Sequence, residues 1–253
     1  MSLMGFDFIP TVIAVVGSII AVYTDLRKRI IPNELNFTMI FFGIIYYILL
    51  GIFSLDFFVM ISGVLGAAIS FAIGYLLWRT GGWAGGDVKL FTALGALLYG
   101  YKMPTENPIY PVPLTILFNS ILIILPFMLV YFVFLRARGG SAFYATVKIT
   151  ELKEGMIPAE LIYEKGGKIY RTSSWFYLKS DWDKTYTNPR RAAGLTRYQV
   201  GVLKRLVREG RIKDELRIKK GMPFAPALAA GVFVTVFFGD IYWQFMIRLF
   251  GYV

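Results

Sequence analysis

The sequence contains no cysteine and no histidine. Those two absences exclude whole reaction classes. Zinc peptidases take histidine ligands, and Ser/His or Cys/His hydrolases need both partners. Disulfides are impossible. If this chain hydrolyses anything, the chemistry must rest on carboxylates or on a Ser/Lys pair, and no Ser and Lys are placed together on the apolar stretches. Acidic residues are scarce outside one segment: only Asp7, Asp25, Glu34, Asp56, Asp87, Glu106 and Asp240 stand near those stretches.

Apolar residues are abundant. They make up 57% of the 253 residues, with 17% aromatic, and they arrive in unbroken blocks instead of the stripes a soluble helix shows. Crossing about 30 Å of hydrocarbon takes roughly 20 helical residues. Six stretches qualify, near residues 7–25, 35–53, 57–78, 87–101, 113–135 and 223–250, the fourth short and the last broken or tilted. The first has no basic leader region and no small-residue cleavage site, so it reads as a retained span. The expected fold is an all-α polytopic membrane helix bundle of about six transmembrane helices, with a small cytoplasmic α+β domain inserted before the last span. The expected divisions are 1–135, 136–220 and 221–253.

Basic residues set the topology, because loops rich in Lys and Arg stay cytoplasmic. Arg27, Lys28 and Arg29 follow the first span, Arg79 follows the third, and 136–220 follows the fifth, so all three share one side. Segment 136–220 holds 20 Lys and Arg against 9 Asp and Glu, an excess equal to the +11 of the whole chain. Beside a membrane, such a surface suits anionic headgroups better than nucleic acid. Within it, strand-like runs at Ala159–Tyr163 and Lys168–Thr172 flank Lys165-Gly166-Gly167, which predicts a hairpin. Leu195-Thr196-Arg197-Tyr198-Gln199-Val200 reads as a capping box with a hydrophobic staple, opening a helix that runs to about Glu209 and stops at Gly210.

Among the acids near the spans, Asp7, Asp56, Glu106 and Asp240 are expected in external ends and loops as hydrated carboxylates. Glu34 stands beside Asn33, a natural N-cap for the second span. Asp25 and Asp87 differ, because both fall at cytoplasmic span ends. Asp25 shares a helical face with Ala21, Gly17 and the adjacent Ser18, small residues that permit close helix approach and turn the carboxylate inward. Asp87 follows Gly81-Gly82-Trp83-Ala84-Gly85-Gly86, a run in which glycines permit close backbone approach and unusual dihedrals, or serve only as a flexible connector. Ser62, Gly66, Ser70 and Gly74 give the third span a packing face. Two carboxylates brought together can share a proton, one activating water while the other hydrogen-bonds a scissile carbonyl. The helix ends favour Asp87 as the ionised base and Asp25 as the protonated acid. Lys89 lies on another face from Asp87, and snorkelling to headgroups is preferred for it over a substrate role.

Three runs carry a family resemblance: Asp25-Leu-Arg-Lys-Arg-Ile-Ile-Pro32-Asn33, Gly85-Gly86-Asp87-Val88-Lys89-Leu90, and Gly221-Met-Pro-Phe-Ala-Pro-Ala-Leu-Ala-Ala-Gly231. In this order and on one side, they resemble the GxGD membrane aspartyl proteases, most closely the type IV prepilin and archaeal preflagellin leader peptidases. The resemblance implies that Asp25 and Asp87 are the catalytic pair, with Gly85 and Gly86 as the supporting loop. It also implies removal of a short leader from pilin-like or flagellin-like precursors at the cytoplasmic face of the cell membrane, without metal or cofactor. The chain departs from the pattern at Ala84, where the family has its first glycine. Two rivals remain: a presenilin-like intramembrane protease, which shares Pro226-Ala227-Leu228, and a transporter using Asp25 and Asp87 as ion or proton sites.

Overall fold

The computed structural model describes residues 8–80, 82–105, 108–137, 141, 144–173, 182–189, 194–219 and 224–251. Asp7, Glu106, Gly81 and the first residues of the Gly221 run lie outside them. The chain forms two compact units, one of residues 1–78, 83–130 and 223–253, the other of residues 79–82 and 131–222.

The first unit is helical: α1 (Phe8–Lys28), α2 (Asn33–Ser54), α3 (Phe57–Arg79), α4 (Gly85–Leu98), α5 (Val112–Ala137, its last residues in the other unit), α7 (Ala225–Phe238) and α8 (Ile241–Phe250). Four of them, α1, α2, α3 and α5, are long and apolar enough to cross a membrane, and α7 with α8 makes a fifth candidate bent by 70°. Large apolar side chains cover the outside, among them Phe8, Phe53, Phe58, Phe127 and Val130. Polar groups lie within, the arrangement lipid selects. Helix α4 occupies the centre. It has 14 residues, eleven of them buried, and at 1.5 Å per residue it rises about 21 Å, short of a full span. Glycines set how closely its neighbours approach: a Cβ on Gly43 of α2 would lie 2.7 Å from the Ala96 backbone, and one on Gly66 of α3 would lie 2.1 Å from the Gly95 carbonyl. The buried stripe of α3 is Gly63, Gly66, Ser70 and Gly74, so Gly63 takes the place expected for Ser62.

The break between α7 and α8 is built, not frayed. Gly239 adopts φ 77°, ψ −147°, and a Cβ there would lie 2.0 Å from Thr105 Oγ1. Asp240, expected to be hydrated, is 0% exposed. Its carboxylate accepts from Tyr110 Oη and Thr115 Oγ1, both at 2.8 Å, and from the Trp243 amide at 2.7 Å. Three donors replace the water that the sequence position suggested.

The second unit holds β1 (Tyr144–Val147), a 3-10 turn at Ile149–Glu151, β2 (Leu161–Lys165), β3 (Lys168–Thr172), β4 (Lys184–Thr187), α6 (Arg197–Arg208) and β5 (Leu216–Lys219). Strand β1 pairs antiparallel with β5, and β2 lies between β3 and β4, also antiparallel. The expected hairpin turns at Gly166 (φ 57°) and Gly167 (φ 77°), the pair of positive angles a tight two-residue turn requires. At α6, Thr196 accepts the Gln199 amide and Gln199 accepts the Thr196 amide, completing the capping box. Leu195 and Val200 enter the core with Ile149, Leu203 and Leu206.

Candidate active site

Asp25 sits in the last turn of α1, on the buried face formed by Ala14, Gly17, Ser18 and Ala21. Gly17 is small because Met39 of α2 fills the space its Cβ would take. The α1 helix ends at Arg29, whose left-handed backbone (φ 56°) returns its amide to the Asp25 carbonyl at 2.8 Å. Asp87 is the third residue of α4, and its Oδ2 accepts the Ala84 amide at 3.0 Å, satisfying a donor that the helix leaves unpaired. Only this half of a capping box exists, because Ala84 has no side-chain oxygen. Ala84 has φ −85° and ψ 159°, ordinary extended backbone, so alanine in place of the first glycine is no obstacle to this turn.

Asp25 and Asp87 line one cavity of about 300 Å3 with Arg29, Ile30, Ile31, Asn33, Ala84, Gly85, Gly86 and Lys89. Both carboxyls are buried, at 8% and 4% exposure. The start of α7 also comes close to Asp25: the Ala225 backbone amide lies near its carboxyl, while the Ala84 amide hydrogen-bonds Asp87. Asp25 Oδ2 has no hydrogen-bond partner among the described residues.

Gly85 and Gly86 are the first residues of α4, and neither has a positive φ. They supply room instead of unusual dihedrals. A Cβ on Gly85 would meet nothing within 4 Å, and one on Gly86 would touch Ile31 at 3.4 Å. Asn33 is the first residue of α2 and makes no cap bond. Its Oδ1 accepts Lys89 Nζ at 2.6 Å, and the ammonium also lies 5.6 Å from the Phe37 ring. Lys89 is therefore engaged at the cavity, not simply extended toward headgroups. Position in the sequence does not reveal that pairing, since 56 residues separate its partners.

A larger cavity of about 590 Å3 lies at the other end of the bundle, lined by Phe8, Val12, Tyr101, Lys102 and Phe237 among others. Its lining contains no carboxylate.

The type IV leader peptidase family model matches residues 12–129, and the model of the archaeal C-terminal domain of these peptidases matches 119–218. The chain is 27% identical to the prepilin peptidase EppA of Methanothermobacter thermautotrophicus over 391 aligned positions that cover all of both chains. It is 34% identical to the preflagellin peptidase of Methanocaldococcus jannaschii over 98 residues, 39% of this chain and 42% of that one. To the preflagellin peptidase of Methanococcus maripaludis it is 30% identical over 131 residues, 47% and 56% of the two chains. With its carboxylate cavity held inside the first matched region and the archaeal domain following it, the chain belongs to the type IV leader peptidase family.

Proposed function

We propose that Asp25 and Asp87 are the catalytic pair of an aspartic endopeptidase that removes the leader from prepilin-like or preflagellin-like precursors. The observation that carries this reading is the single cavity at one end of the bundle into which α1 and α4 deliver the two carboxyls. With one proton between them, the ionised carboxylate takes a proton from water as the water attacks the scissile carbonyl. The protonated partner hydrogen-bonds the carbonyl oxygen and stabilises the tetrahedral intermediate. Return of a proton to the leaving amine completes the cut.

Arg27 and Lys28, which close α1 at the same end as the cavity, support placing the site at the cytoplasmic face of the cell membrane. Residues 136–220 are read as a cytoplasmic domain whose basic surface meets anionic lipids, with no nucleic-acid partner. Incubating the purified protein in detergent with a prepilin or preflagellin tests the reading. Mass spectrometry should find a precursor shortened at its N-terminus, and an unchanged precursor would reject it.

A further inference from the structure

Asn36 is fully buried in α2, and neither its Oδ1 nor its Nδ2 has a hydrogen-bond partner among the described residues. An amide placed so gives up its water hydrogen bonds and gains nothing in return. Its neighbours on the same stripe carry no such penalty. Met39 packs on Gly17, Gly43 lies on the α4 backbone, and Tyr47 donates to the Leu97 carbonyl and accepts the Gly100 amide.

Helix register gives the depth of Asn36 relative to the two acids, one turn along α2 from Asn33 in the cavity lining. The Met39–Gly17 contact fixes the depth of α2 against α1. From that level toward the cavity, Asn36 is three residues along α2 and Asp25 eight along α1. At 1.5 Å per residue, their backbones differ in depth by about 7 Å. The two helices run in opposite directions, and side chains lean toward the N-terminus of their own helix. Asp25 therefore leans into the bundle and Asn36 leans outward, toward each other. The Gly43–Ala96 contact similarly puts Asn36 within about 3 Å of the depth of Asp87. Asp25 Oδ2, like both polar atoms of Asn36, is buried without a hydrogen-bond partner among the described residues.

We infer that Asn36 is a positioning residue for Asp25: its amide pairs with the Asp25 carboxyl in the arrangement that cleaves peptide. The inference rests on the proposed role of Asp25. An amide suits a carboxyl that gains and loses a proton during each turnover. Its Nδ2–H donates to the carboxylate, and its Oδ1 accepts from the protonated acid. A hydroxyl also offers both functions, whereas an alkyl group offers neither.

Threonine and valine have nearly the same shape and differ in that hydroxyl, so Asn36→Thr and Asn36→Val separate hydrogen bonding from packing. With a purified precursor, Asn36→Val should lower kcat by about tenfold or more, leave KM within about twofold, and leave thermal stability equal or higher. Asn36→Thr should recover most of the lost kcat. Equal activity of the two variants, or a change in KM alone, overturns the inference. If Asn36→Val does not fold, Asn36→Ala takes its place in the comparison with threonine. Asp25→Asn, run in parallel, distinguishes the two levels of the argument. Cleavage by Asp25→Asn removes the catalytic pair itself, whereas its silence beside a fully active Asn36→Val removes only the role given to Asn36.

Discussion

Lys89 Nζ donates to Asn33 Oδ1 at 2.6 Å and so fastens the start of α4 to the start of α2. The bond joins the two sequence runs that carry Asp25 and Asp87, and both of its residues line the cavity between them. Asn33→Leu removes the acceptor and leaves the ammonium in place. We expect a loss of about 0.5–1.5 kcal/mol in stability and a severalfold loss in kcat/KM. The combination with Lys89→Met should be little worse than either change alone. Denaturation and cleavage assays of this double-mutant cycle test it, and additive losses would show that the two residues act separately.

Asp87 serves the helix as well as the proposed chemistry. Its carboxylate holds the Ala84 amide, so Asp87→Ala should cost about 0.5–2 kcal/mol of stability in addition to activity. Asp87→Asn keeps an oxygen acceptor in the same place. It should stay near wild-type stability while cleavage disappears. Thermal unfolding in detergent, measured beside activity, separates the two roles.

Two glycines of α4 should respond oppositely to the same methyl group. Gly85→Ala adds a Cβ in open space on ordinary helical backbone and should stabilise by up to about 1 kcal/mol. Gly95→Ala would bring its Cβ to 1.9 Å from Ser70 Oγ and 2.4 Å from the Gly66 carbonyl. Overpacking of this kind typically costs about 1–3 kcal/mol. Comparing the melting temperatures of the two variants with wild type tests the packing of α3 on α4 directly.

Acid should loosen the three-stranded sheet, which neutral pH leaves fully stabilised. Hydrogen bonds from Tyr186 and then Arg211 hold the Glu164 carboxyl below its ordinary value. A lowered folded value means that the stabilisation is complete above the ordinary glutamate range and is lost as pH falls through the folded value. Amide exchange in β2–β4, corrected for intrinsic rates, should show protection falling between about pH 6 and pH 3. Glu164→Gln should reduce protection at neutral pH and flatten that dependence.

Local signals in the sequence carry over well into the structure. Gly17, Ser18 and Ala21 turn Asp25 inward because helical spacing alone puts small residues on its face. Gly166-Gly167 and Thr196-Arg197-Tyr198-Gln199 specify a turn and a helix start from residues adjacent in the chain. What was not legible depends on register between distant segments. The burial of Asp240 needs Tyr110 and Thr115, and the orientation of Asn36 needs the seating of Met39 on Gly17. The pairing of β1 with β5 joins strands some 70 residues apart. The glycines before Asp87 read as backbone joints, yet their helical dihedrals leave them a role as space beside the carboxyls.

Single-turnover cleavage by Asp25→Asn, Asp87→Asn and the double variant, each shown to be folded, tests most directly whether the two carboxyls act as one unit. Each single change should drop the rate by about 10⁴-fold or more to a common floor, and the double variant should remain on that floor. Cleavage by either single variant within about tenfold of the wild-type rate would contradict the account.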